Sequence, residues 1–180
     1  MKKTILLCTL LLAIISCKDT PKETAQAVPV SLDATYYLIR HADKMRGPDA
    51  GSDPELNDAG KQRAEFWAEE LSDVDFDAVY STDYKRTLAT AQPTAEAQAV
   101  NVKLYDPTHL YDAEFQQETA GKTVLVVGHS NTTPAFVNAI LGENKYDEID
   151  DALYGFLYVV TVKNGSAQVE LKDFNDWSAE

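Results

Sequence analysis

Cysteine is nearly absent from this 180-residue chain, which has only Cys8 and Cys17. Once the leader described below is removed, one thiol remains, so an internal disulfide, a cysteine nucleophile and a cysteine-based zinc site are excluded. Histidine is scarce as well: His41, His109 and His129 show no His-x-x-x-His spacing, and a metal site built from them would need carboxylates to complete it. No metal or other cofactor is expected. Positive charge is short, with 16 Lys and Arg against 29 Asp and Glu and a net charge of −13. That balance argues against nucleic acid or an anionic lipid surface as partner. The longest apolar stretch, Ile5 to Ile15, falls short of the roughly 20 residues that span a bilayer.

What the N-terminus does have is Lys2 and Lys3, that apolar stretch, and Ser16 before Cys17, which reads as a secretory signal segment. Ile14-Ile15-Ser16-Cys17 resembles the lipobox of bacterial lipoproteins, in which the cysteine becomes the acylated first residue. The organisation expected is a signal peptide over 1–16, a lipidated Cys17 with a flexible tether to residue 34, and one folded domain over 35–180. The resemblance implies an exported bacterial membrane lipoprotein, facing the periplasm or the cell surface. Loss of the two lysines with the leader takes the net charge to −15.

Strand-like runs at Tyr36 to Ile39, Asp77 to Tyr80, Val102 to Tyr105 and Thr123 to Val127 alternate with helix-like segments, which implies βαβ units and a mostly parallel sheet. A first helix is predicted from Asn57 or Asp58, with Ala64, Trp67, Ala68 and Leu71 on its core face. A second runs from about Asp83 towards Ala99, with Pro93 expected to kink or restart it. A last helix has Pro134 near its first turn and ends at Gly142. Runs at Tyr154 to Val162 and Ala167 to Leu171 flank Asn164-Gly165 and predict an antiparallel hairpin extending one side of the sheet.

Chemistry concentrates where these strands end. Arg40-His41 follows the first strand, Gly128-His129 the fourth, and Arg86 lies just past the second. The crevice beyond the carboxyl ends of parallel strands is where open α/β sheets bind ligands. Two guanidinium forks and two imidazoles converging there suit a phosphoryl dianion.

Four ordered blocks, Leu38 to Ala42, Leu56 to Gly60, Tyr80 to Thr87 with Thr90-Ala91, and Val126 to Asn131, resemble the histidine phosphatase superfamily, also called phosphoglycerate mutase-like. The likeness covers roughly residues 35 to 142. It implies an α/β fold, a three-layer αβα sandwich with a mostly parallel sheet and an antiparallel C-terminal hairpin. It also implies a metal-independent phosphatase in which His41 attacks phosphorus, becomes a phosphohistidine and is freed by water. Arg40, Arg86, His129 and Asn131 would bind the phosphoryl group, with Asn131 alternatively capping a helix. The proton for the leaving oxygen would come from a carboxyl group after the third strand, with Asp106, Asp112 and Glu114 as candidates and Asp43 as another. If Asp43 has no such role, it is expected to pair with Lys44 or Arg46. Ala42 stands where many relatives have glycine, and the long insertions of the mutases are missing.

The implied partner is a small phosphorylated substrate or a phosphoprotein. Two alternatives on the same fold are a non-catalytic module that binds phosphorylated ligands and, less favoured, a mutase-type phosphotransferase. An esterase using Ser130 is disfavoured, because position 132 is threonine and no histidine follows the serine in chain order.

Overall fold

The computed structural model describes residues 32–179. The expected signal peptide, Cys17 and most of the tether lie outside them. Six strands and four α-helices follow the chain as β1 (Ala34–Arg40), α1 (Asp58–Glu70), β2 (Ala78–Ser81), α2 (Lys85–Ala97), β3 (Val102–Leu104), α3 (Ala113–Thr119), β4 (Thr123–Gly128), α4 (Thr132–Leu141), β5 (Phe156–Lys163) and β6 (Ser166–Asp173). They form one sheet in the order β3-β2-β4-β1-β5-β6. The first four strands in that order are parallel, and β5 and β6 run antiparallel as the expected hairpin.

Burial on both faces explains why β1 and β4 read as apolar runs and not as alternating ones. Residues of opposite pleat feed opposite cores. Leu38, Tyr36, Val124 and Val126 pack with Phe115 of α3 and Phe136, Val137 and Ile140 of α4 on one face. Ile39, Val79, Leu125 and Val127 pack with Trp67 of α1 and Ala91 and Ala95 of α2 on the other. The result is the three-layer αβα sandwich.

Local chemistry sets the helix ends. Asn57 caps α1 by accepting from the Gly60 amide at 2.8 Å. Gly142 closes α4 in the left-handed conformation at φ 71°, which glycine adopts without steric cost. Two expectations for α2 need correction. It starts at Lys85 and not at Asp83, and it runs unbroken through Pro93 to Ala97. Proline removes one backbone donor, to the Ala89 carbonyl, but the buried Ala91, Thr94 and Ala95 on either side hold the helix to the sheet. The short helix α3 fills the interval between β3 and β4, where a helix-like segment is expected from the alternation but without bounds. Asp112 caps it by accepting from the Phe115 amide at 2.9 Å.

Candidate active site

Because β1, β4 and β2 are parallel neighbours, their carboxyl ends meet at one sheet edge. Arg40 is in register with Gly128, and Ser81 with Val127. The His41 amide continues the ladder to the Gly128 carbonyl at 2.9 Å. His41 and His129 therefore face each other edge-on, with ring centroids 5.5 Å apart. Arg86, in the first turn of α2, completes the group. A cavity of about 420 Å³ opens between them, lined by Arg40, His41, Arg86, His129 and Asn131, as the sequence grouped them, and also by Lys44 and Tyr84.

His41 is 2 % exposed. Its Nδ1 lies 2.8 Å from the Ala42 carbonyl, which can only accept, so Nδ1 carries the proton and Nε2 keeps its lone pair. Burial first, then the charges of Arg40, Arg86 and His129, push its pKa down to about 3, against an opposing pull from the Ala42 carbonyl. The imidazole is neutral and nucleophilic at Nε2 across the physiological range.

His129 is wired differently. Arg86 Nη2, which can only donate, lies 3.3 Å from its Nδ1, so Nε2 bears the hydrogen and gives it to Thr82 Oγ1 at 2.9 Å. Thr82 Oγ1 donates onward to Thr87 Oγ1 at 3.0 Å. Burial, with Arg86, Arg40 and Lys44, lowers the His129 pKa to about 4.

Each arginine is held from behind. Arg40, 1 % exposed, donates to the Asp150 and Leu153 carbonyls at 2.9 and 2.8 Å and to Asp151 at 2.7 Å, and its guanidinium stacks on Tyr154 at 4.3 Å. Arg86 meets Asp53 at 3.3 Å and stacks on Tyr84 at 4.7 Å. Asp53 also accepts from the Lys85 amide, so the anion at the α2 N-terminus is the protein's own. The Nε atoms of Arg40 and Arg86 are buried and have no hydrogen-bond partner among the described residues. Two guanidinium groups that line one cavity suit an oxyanion.

The loop carrying His41 is fixed by neighbours that the four blocks supply. The Ala42 amide donates to Thr90 Oγ1 at 2.9 Å, and Thr90 Oγ1 donates to the Arg86 carbonyl at 2.7 Å. Ala42 is fully buried and clusters with Leu56 and Ala64, which accounts for a methyl group in place of glycine. A Cβ on Gly60 would collide with the backbone of Asp43, so the glycine lets α1 touch the loop. Asp43 itself pairs with Arg63 at 2.7 Å, a correction to the expected pairing with Lys44 or Arg46.

The three candidate proton donors are not among the residues that line this cavity, although Pro107 and Thr108, which follow Asp106, are. Asp106, Asp112 and Glu114 line a separate one with Tyr80 and Glu118. Asp106 accepts from Thr108 and from His109, which hold its carboxyl down at about pKa 2, and Asp112 caps α3. His109 stays on this exposed loop, away from the other two histidines. Asn131 sits at the α4 N-cap position but its side chain makes no capping bond. Instead Thr132 Oγ1 accepts from the His129 amide at 3.0 Å. Sequence reading missed Asp53, Thr82, Tyr84, Asp151 and Tyr154. Only Thr82 and Tyr84, inside the Tyr80 to Thr87 block, carried a signal that could have found them.

An αβα sandwich with two histidines and two arginines at the carboxyl edge of its parallel strands is a phosphoglycerate mutase-like fold. Residues 36–107 match the family model of the histidine phosphatase superfamily (branch 1). Phosphoserine phosphatase 1 of Hydrogenobacter thermophilus is 39 % identical over 69 residues, covering 36 % of this chain and 33 % of that protein. The match thus spans about a third of the length of this relative. Among solved structures, Bacillus stearothermophilus YhfR aligns with TM-score 0.63 and 17 % identity over 77 % of this chain and 96 % of its own. Entamoeba histolytica phosphoserine phosphatase, in complex with 3-phosphoglyceric acid, aligns with TM-score 0.59 and 18 % identity over 78 % and 97 %. Phosphoglycerate mutase of Bacillus anthracis gives 0.60 and 15 % over 78 % and 93 %. Over residues 36–107 the chain is thus similar to the histidine phosphatase superfamily, and its fold is phosphoglycerate mutase-like.

Proposed function

We propose that the protein is a metal-independent phosphatase that hydrolyses phosphomonoesters, or phosphohistidine, through a covalent phosphohistidine on His41. One observation carries the reading: a neutral imidazole with its Nδ1 proton spent on the Ala42 carbonyl, leaving Nε2 free in a cavity lined by Arg40 and Arg86. The arginines hold the phosphoryl oxygens and balance the charge that develops on them, where most of the rate enhancement in phosphoryl transfer arises. Nε2 attacks phosphorus as the bond to the leaving atom breaks. Water then attacks the phosphohistidine, returning the electron pair to Nε2. His129, held between Thr82 and Arg86, braces Arg86 beside the transferring group.

The test is hydrolysis of 4-nitrophenyl phosphate in the presence of EDTA, beside His41→Ala. Turnover that survives chelation, vanishes in the variant and leaves a trappable phosphoenzyme only in the unsubstituted protein is the expected result. Equal turnover in both proteins would sink the assignment of His41. We further propose that Cys17 carries the lipid that anchors the protein to a bacterial membrane, with the domain on the exported side.

A further inference from the structure

Resting on the phosphatase reading, one feature of the cavity bears on what the phosphoryl group is carried on. A leaving alkoxide needs a proton, and none of the described residues that line this cavity carries a carboxyl group. Asp106, Asp112 and Glu114 line the neighbouring cavity. Asp53 is paired with Arg86. Asp151 bridges Arg40, Lys44 and Arg46, and those hydrogen bonds hold its carboxyl at about pKa 2, so it has no proton to give.

Among the ionisable side chains that do line the cavity, neither arginine releases a proton, and Tyr84 offers only a phenol, its ring stacked under Arg86. The His129 proton is directed at Thr82 and not into the cavity. Lys44, 3.6 Å from Asp151, is held in an ion pair and places a positive charge near the leaving atom.

We infer that the site is built for a phosphoryl group carried on a weakly basic oxygen, as in an aryl or acyl phosphate, and not for simple alkyl phosphomonoesters. In the step this describes, the bond between His41 Nε2 and phosphorus forms while the bond from phosphorus to the leaving oxygen breaks. The electron pair stays on that oxygen, which departs as an aryl oxide or carboxylate and takes any later proton from solvent. A loose transition state puts much of the charge on the leaving oxygen, so its basicity governs the rate when no acid is in place.

The experiment uses the purified full-length protein with 4-nitrophenyl phosphate, acetyl phosphate, phenyl phosphate and glycerol 2-phosphate, reading kcat/KM. A fall of about 10²- to 10⁴-fold from the nitrophenyl to the alkyl ester is expected, the size of a missing general acid. A spread within about tenfold would overturn the inference and leave the phosphatase reading standing. No turnover of any of the four would overturn both. Asp106→Asn, Asp112→Asn and Glu114→Gln should each leave the alkyl rate within about twofold. A loss of 100-fold or more on glycerol 2-phosphate alone, with 4-nitrophenyl phosphate spared, would identify that residue as the hidden acid and end the proposal.

Discussion

At the scale of single residues, the two imidazoles share an edge of the sheet and yet differ in what they can do. His41 has one nitrogen satisfied by the backbone and one free, whereas both nitrogens of His129 are committed to protein partners. Burial is the first cause of the low pKa of each, ahead of the cations that the sequence brought to notice. A depressed pKa favours the neutral form, so His41 is competent above about pH 3 and loses its lone pair only as the pH falls through that value. Followed by NMR from pH 8 to pH 4, the His41 ring resonances are predicted to stay on the neutral side. An inflection of His41 near 6.5, the ordinary imidazole value, would refute the wiring described here. Arg40, His41, Arg86 and His129 were legible in the sequence because each follows an apolar strand or opens a helix. Asp53, Asp151 and Tyr154 were not, since their partners lie 33 to 114 positions away and single acids are common in so acidic a chain.

Elements, and not the site residues alone, decide where His41 stands. Thr90 joins α2 to the loop after β1 by accepting from the buried Ala42 amide, and its hydroxyl donates to the Arg86 carbonyl within α2. Thr90→Val keeps the shape and leaves the Ala42 amide without a partner, at a cost of about 1–3 kcal/mol. Chemical denaturation should show that loss, and kcat/KM should fall with it as the loop loosens. Unchanged stability and activity would mean that the loop is held by other contacts. Most elements announced themselves in sequence by apolar runs, by the Asn57 cap or by the Asn164-Gly165 turn. The seven-residue α3 did not, because only Phe115 and Thr119 of it are buried, too few to set a helical period. Pro93 misled for the opposite reason, since a local rule about a missing donor was overruled by packing of α2 on the sheet.

On the scale of the whole molecule, direction matters more than shape. Strand β1 enters the sheet at Ala34 and delivers Arg40 at its far end, seven residues or roughly 20 Å away. Residues upstream of Ala34 therefore join the domain at the edge opposite the cavity. Should Cys17 carry lipid, Cys17→Ser is predicted to move the protein from the membrane fraction to the soluble one without altering turnover of 4-nitrophenyl phosphate. Retention of the variant in the membrane fraction would discard the anchor. The entry point has a practical meaning too. A protein captured on a bead or sensor by its N-terminal side presents the mouth of the cavity to the bulk liquid, whereas capture through the C-terminal end, which leaves β6 at the cavity edge, crowds that opening.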